Sequence, residues 1–260
     1  FLKKKTKHWK NTKIFNQENK GPAIATQLAI KHSKGDFIKL IGGDDIMTPD
    51  CTKILLDGIK KTNSVAIFSR YKLIKNLKDI FFKKQIMTNI KTIKNPLEET
   101  VRSNYSGTTP NLYCNKAIKK SGGCNQKLFI EDFSLVLGIS KYGSFSFIDN
   151  ITTFGPKNDE NRIMTGKKTQ LIHDYNAALY YFLNDNDNIE HKIKKIACKK
   201  AIGRAEKWSR RILKKSIFNQ MNLLKIKFYL RERNLSQIIK KTCLYISNNV
   251  SDKEVRYKVS

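Results

Sequence analysis

Lys34-Gly35-Asp36-Phe37-Ile38-Lys39-Leu40-Ile41-Gly42-Gly43-Asp44-Asp45 is the stretch whose reading decides the fold. Phe37, Ile38, Leu40 and Ile41 form a short apolar run bounded by turn residues, the pattern of a strand buried on both faces. Gly42 and Gly43 permit a sharp turn and leave room for a ligand to approach the backbone. Asp44 and Asp45 follow at the carboxyl end of strand 36–41, where open α/β sheets bind their ligands. Two adjacent carboxylates there suit Mg²⁺ or Mn²⁺ held against a diphosphate, because hard cations take oxygen donors. The plain alternative is a polar turn leading into a helix, since Asp is favoured at both.

Upstream, Asn19-Lys20-Gly21-Pro22 punctuates the chain, and a short strand is predicted at 12–15. From Pro22, Ile24, Ala25, Leu28 and Ala29 recur at helical spacing, with Gly35 as the stop. Downstream, Thr48-Pro49-Asp50 opens a helix over Ile54, Leu55 and Ile59, and residues 65–71 are β-branched and aromatic enough for a second strand. This alternation predicts an α/β domain with parallel strands. Residues 75–105 are Lys-rich and unpatterned, an irregular excursion across the active face. A second organised block begins at Ser106-Gly107-Thr108-Thr109-Pro110, with a strand at 111–114 and a short helix at 115–120 closed by Gly122-Gly123. Phe129-Ile130-Glu131-Asp132-Phe133 opens another helix, and 144–148 reads as a strand. Beyond about residue 165 glycines nearly vanish, and 168–184, 189–215 and 219–247 read as helices. The expected division is a catalytic domain over 1–160 and a basic helical region over 161–260.

The 260 residues carry 51 Lys and Arg against 22 Asp and Glu, a formal charge of +29. Such an excess points to an anionic partner: nucleic acid, an acidic membrane face or a phosphorylated substrate. The abundance of Lys, Ile and Asn together also fits a bias spread over the whole chain, and no nucleic-acid role is expected. The five cysteines are far apart with no CxxC pair, which supports neither a zinc ribbon nor a disulfide framework and fits a reduced, cytoplasmic setting. No secretory signal follows Phe1-Leu2-Lys3-Lys4-Lys5, and no apolar run of about 18 residues exists to span a membrane. The lysine-rich helices leave peripheral contact with an anionic membrane open beside the simpler reading of solvated faces. No GxxxxGK[ST] loop is present, so a P-loop phosphotransferase is excluded.

Asp44-Asp45 and Glu131-Asp132 are two acidic sites about ninety residues apart, each at an element boundary. One pair can hold a metal on a diphosphate leaving group, and the other can supply a base to an acceptor hydroxyl. The chain resembles the family 2 glycosyltransferases, which have the GT-A nucleotide-sugar fold. In order, Asn19-Lys20-Gly21, the Ala-rich helix through Ala29-Ile30, Gly35-Asp36-Phe37-Ile38 and Gly43-Asp44-Asp45 followed by Pro49 are similar to the family's first half. Gly107, the segment 113–118, Gly122-Gly123, Phe129 and Glu131-Asp132-Phe133 are similar to its second half, and the likeness runs from 11 to about 155.

The resemblance implies a GT-A-like mixed sheet flanked by helices, followed by a mostly α-helical C-terminal region. It implies an inverting transfer of a sugar, most simply from a UDP-sugar, to a hydroxyl of a surface glycan, lipopolysaccharide or lipid-linked acceptor. By position, Asp44 and Asp45 become the metal and diphosphate site, Asp132 the general base and Glu131 its support. Asn19, Gly21, Gly43 and Asp44 become substrate-binding positions, Gly107 and Thr108 line the donor-sugar side, and Lys157 or Arg162 meets the diphosphate. The family's opening strand and Asp-Asp-Gly-Ser turn have no counterpart, so the chain reads as truncated just before Phe1 or as a degenerate relative. Gly42 stands where many members carry an earlier Asp. The rival from another class is a basic scaffold that binds an anionic membrane or nucleic acid.

Overall fold

The computed structural model describes residues 2–103, 110–157, 165–214, 220–229 and 234–260. Gly107, Thr108 and Arg162 lie outside them. In chain order the elements are α1 (Leu2–Lys5), α2 (Pro22–His32), β1 (Phe37–Ile38), β2 (Ile46–Met47), α3 (Cys51–Thr62), β3 (Ala66–Ile74), a 3₁₀ turn (Leu77–Asp79), β4 (Ile90–Ile93) and α4 (Pro96–Ser103). There follow β5 (Asn111–Cys114), α5 (Asn115–Ser121), α6 (Asp132–Ile139), β6 (Phe145–Pro156), α7 (Lys168–Asn184), α8 (His191–Ile212), α9 (Gln220–Tyr229) and α10 (Leu235–Ser247).

The strands form one mixed sheet in the order β1-β5-β3-β6-β2, with β4 also paired to β6. The alternation of elements predicted parallel strands and the resemblance a mixed sheet; the sheet is mixed, with β3 and β6 parallel and β1/β5, β5/β3, β2/β6 and β4/β6 antiparallel. β6 has the length to take β4 along its first half and β2 along its second. Residues 12–15 form no strand, and the described part of 75–105, which ends at residue 103, holds the 3₁₀ turn, β4 and α4.

Side chains alternate across the sheet as the strand period of two requires. Ile67, Leu112 and Ile148 face α3 and pack with Leu55 and Ile59. Ala66, Phe68, Tyr113 and Phe145 face the other way and pack with Ile118 of α5 and Leu135 and Val136 of α6. A third apolar cluster joins Phe129, Phe133 and Leu137 to Ala177 and Leu179 of α7, Ala201 and Trp208 of α8, and Ile239 and Ile246 of α10. The helices after position 165 are therefore built directly onto the segment that carries Glu131 and Asp132. α10 starts at a side-chain cap, with Asn234 Oδ1 accepting from Gln237 N at 3.3 Å.

Candidate active site

β1 ends at Ile38 because the chain then bonds sideways. Leu40 N donates to Asn111 Oδ1 at 3.3 Å and Lys39 Nζ donates to Asn111 O at 3.2 Å, so the ladder with β5 stops. The released segment turns through Gly42 and Gly43, with Asp45 N donating to Gly42 O at 3.3 Å.

Above this turn the two carboxylates converge. A Cβ placed on Gly42 would lie 2.9 Å from Asp44 Oδ1 and 3.0 Å from Asp45 Oδ2. One oxygen of each carboxylate therefore comes to within 3.0 Å of the space a Gly42 side chain would fill. The other oxygen of Asp45 accepts from the Tyr71 hydroxyl at 2.7 Å. Gly155 of β6 lies beneath that bond: a Cβ there would stand 2.9 Å from Asp45 Oδ1 and would overlap the Tyr71 hydroxyl. Gly43 has open space around it, and Lys157 is exposed two residues beyond Gly155. Lys39 sits close enough to Cys51 and Asp45 for both to favour its charge, although burial pulls its pKa below the usual lysine range.

Two carboxylates flanking one turn suit Mg²⁺ or Mn²⁺, which commonly take one or two protein carboxylates and complete their shell with water and phosphate oxygens. Among the described residues no group of three or more His, Cys, Asp and Glu could hold a metal ion, and at this turn the two carboxylates of Asp44 and Asp45 are what the chain could offer one.

The second acidic site is packed against the same sheet from the α6 side. Glu131 precedes the helix and Asp132 is its first residue, with Asp132 Oδ1 accepting from Phe133 N at 2.7 Å. Burial, then the neighbouring Asp132 carboxylate, pushes Glu131 up to about 7. Burial likewise raises Asp132, against hydrogen bonds from the backbone. Desolvation disfavours a carboxylate's charge, so both hold protons more tightly than a surface acid. Tyr113 and Cys124 stand within electrostatic reach of both acids, and burial chiefly, with those acids, raises the pKa of each.

β5 links the two sites. Asn111, fully buried, holds Lys39 and Leu40 on one side and hydrogen-bonds Tyr113 on the other, and Tyr113 faces Asp132. The strand thus runs from the Asp44-Asp45 turn to the Glu131-Asp132 helix.

Asn19 and Gly21 belong to the second site rather than the first. Gly21 has φ +89°, and a Cβ on it would lie 3.1 Å from the Phe129 ring, two residues before Glu131. Asn19 Oδ1 accepts from Gly21 N and from Arg256 Nη1, each at 3.3 Å. Tyr257 donates to Lys20 O at 2.6 Å, while Lys167 and Arg256 lie over the Phe129 ring at 4.7 and 5.8 Å. Asn19, Gly21, Phe129, Lys167 and Arg256 border a cavity of about 570 Å³.

Sequence reasoning missed four residues that shape these sites: Lys39, Tyr71, Asn111 and Asp174. Asp174 of α7 is fully buried and its carboxylate accepts from Phe129 N at 2.8 Å, Ile130 N at 3.1 Å and Gln170 Nε2 at 2.8 Å, with His173 Nδ1 at 2.9 Å. It fixes the backbone that leads into Glu131. The signal for Lys39 was present, a lone charge inside a buried apolar run. Tyr71 and Asn111 gave none, because their partners lie 26 and 71 residues away.

The model of the family described as "Glycosyl transferase family 2" matches residues 1–122, which takes in Asp44 and Asp45 and stops short of Glu131. No curated protein matches the chain. Among solved structures, S. aureus TarS residues 1–349 matches with a TM-score of 0.58 and 14% identity, over 97% of this chain and 70% of that one. The same fragment in complex with UDP-GlcNAc matches with a TM-score of 0.58 at 14% identity, over 97% and 69%. The longer S. aureus TarS structure gives 0.57 at 15%, over 97% of this chain and 41% of that one. At such identities the likeness is one of fold, and it extends beyond the family match into the helical C-terminal region.

Proposed function

We propose, from the match of residues 1–122 to the family 2 glycosyltransferase model, that the chain moves a sugar from a UDP-sugar to a hydroxyl of a glycan or lipid-linked acceptor, with inversion at the anomeric carbon. The observation that carries this reading is the approach of Asp44 Oδ1 and Asp45 Oδ2 to the same side of Gly42, at the end of a sheet against which α6, opened by Asp132, is packed. The binding of UDP-GlcNAc and UDP by structures of the same fold supports the choice of donor.

Asp44 and Asp45 would hold Mg²⁺ or Mn²⁺, which supplies Lewis-acid stabilisation of the diphosphate when bound. Tyr71 fixes the rotamer of Asp45 by occupying its other oxygen. Lys39 adds a positive charge behind the pair, and Lys157 stands beyond Gly155 as a second cation for the diphosphate. Asp132 takes the proton of the acceptor hydroxyl as that oxygen bonds the anomeric carbon, and the electron pair of the breaking bond leaves with UDP. Its raised affinity for protons suits this role, because a base works best when its pKa approaches the working pH. Glu131 stands beside it as a supporting group. Among the described residues no helix is long and apolar enough to cross a membrane.

Calorimetry with UDP tests the reading. Binding is expected with Mn²⁺, lost in EDTA and lost in Asp45→Ala. Asp132→Asn should keep UDP binding while release of UDP from a UDP-sugar falls at least a hundredfold. Binding indifferent to both metal and Asp45 would overturn the metal assignment, and no nucleotide binding at all would favour the scaffold reading.

A further inference from the structure

Between β3 and β4 the chain interleaves exposed apolar side chains with lysines. Phe81 is 80% exposed and Ile86 87%, and Leu73 and Phe82 are exposed by 52% and 51%. Lys72, Lys75, Lys78, Lys83 and Lys84 are exposed along the same stretch, against Asp79 as its one acid. Asp79 Oδ2 accepts from Asn76 N at 3.3 Å, so that carboxylate is already engaged by the turn that carries it.

The stretch is fastened to the sheet. Gln85 N donates to Asp50 Oδ2 at 3.1 Å and Gln85 Nε2 to Ile151 O at 2.8 Å. Asn150 Nδ2 donates to Gln85 Oε1 at 3.0 Å and to Ile86 O at 2.9 Å, and Thr88 N donates to Asn150 Oδ1 at 2.9 Å. These bonds fill the gap on β6 between Ile148, the last partner of β4, and Thr153, where β2 pairs. Phe82 lies edge-on to Phe154, with ring centroids 6.4 Å apart, and Phe154 precedes the glycine beneath Asp45. An ordered backbone therefore holds Phe81 and Ile86 in water.

We infer that residues 72–87 form a docking surface for an anionic lipid bilayer, with Phe81 and Ile86 entering the headgroup region and the lysines meeting lipid phosphates. Large apolar side chains gathered in water mark an interaction site, whereas scattered single ones do not. Anionic lipids attract clustered lysines through their surface potential, and apolar side chains beside those lysines add burial at the headgroup boundary. The five lysines disfavour a protein partner, because Lys is depleted from interface cores. Leu73 and Ile86 disfavour single-stranded nucleic acid, whose bases stack on aromatic rings and gain no such contact from aliphatic tips. The surface uses none of the residues assigned to the donor or the base, and it stands whether or not the transferase reading holds.

The test is co-sedimentation with phosphatidylcholine vesicles, with and without about a third phosphatidylglycerol. The native chain should bind the anionic vesicles and not the neutral ones, with an affinity that falls as salt rises. Phe81→Ser/Ile86→Ser should weaken binding about tenfold or more with the melting temperature unchanged, since both side chains already lie in water. Lys78→Gln/Lys83→Gln/Lys84→Gln should weaken it to a similar degree. Lys116→Gln/Lys119→Gln/Lys120→Gln, the same loss of charge from exposed positions of α5, should keep most of the binding. Equal loss in the α5 variant would assign the effect to net charge and overturn the docking surface. Undiminished binding by Phe81→Ser/Ile86→Ser, or none by the native chain, would overturn it too. The same variants are assayed with a single-stranded oligonucleotide and by analytical ultracentrifugation. If Phe81→Ser/Ile86→Ser loses oligonucleotide binding or self-association while keeping the vesicles, the stretch serves that other partner and the bilayer proposal fails.

Discussion

Lys39 and Asn111 are joined across the sheet edge, with Lys39 Nζ 3.2 Å from the Asn111 carbonyl, while the Asn111 side chain takes the next backbone N–H, that of Leu40. One buried amide therefore decides where β1 ends and the acidic turn begins. Asn111→Ala leaves Leu40 N without its partner. It should cost about 1–3 kcal/mol of stability and weaken metal-dependent UDP binding about tenfold, read by denaturant unfolding and calorimetry. Unchanged UDP affinity would mean the turn keeps its shape without Asn111.

The two glycines before Asp44 should behave oppositely. A Cβ on Gly42 enters the space of both carboxylates, whereas one on Gly43 meets nothing within 4 Å. Gly42→Ala should abolish Mn²⁺-dependent UDP binding with little change in melting temperature. Gly43→Ala should leave stability unchanged, so any loss of UDP affinity there reports the donor's own approach to the backbone.

Glu131 is expected to give stability a pH dependence of definite sign. Its carboxyl is held near 7 in the native chain against 4.5 as the ordinary value, so between those values the native state binds more protons than the unfolded one. Stability therefore falls as pH rises from about 4.5 to about 7, and Asp132, raised in the same direction, adds to the fall. Glu131→Gln should remove its share, a gain of at most about 3 kcal/mol at pH 8 and little at pH 4.5. Unfolding curves at the two pH values check this, and an equal effect at both would refute it.

Asp174 is expected to act on activity through the backbone before Glu131. Asp174→Asn replaces an acceptor by a group that presents N–H to N–H. It should destabilise by roughly 3 kcal/mol. In the surviving folded fraction the transfer rate should fall while UDP affinity holds, because the contact lies on the Glu131-Asp132 side.

Much of the α/β half was legible because local signals and tertiary contacts agree there. The apolar run at 65–71, the Pro22 and Thr48-Pro49 helix starts and the Gly122 stop all reappear as elements, with Gly122 left-handed at φ +81°. The sheet's direction was not legible. Strand order depends on which long-range partners win, and alternation of helix and strand carries no information about β5 running against β3. Strand 36–41 shrank to two residues because its later N–H and ammonium groups go to one side chain and one carbonyl of Asn111. The break within 219–247 had a readable cue, an Asn at 234 followed three residues later by Gln, that hydrophobic periodicity overrode. The acidic pairs were legible as sites, yet what tunes them was not: Tyr71, Asn111 and Asp174 act through contacts that only the folded chain creates.

The hold of Arg256 and Tyr257 on Asn19 and Lys20 joins residues 237 apart. During synthesis the Asn19-Gly21 turn emerges first and stays incomplete until its clamps, 237 residues later, have followed. Val255 and Val259, both buried, can seat only after the helices beneath them have formed. A ribosome stalled before residue 256 would display a nascent chain whose sheet is in place but whose Phe129 wall is still open. Closure of that wall is thus a late, slow step set by chain connectivity, since contacts of such long range come late in folding.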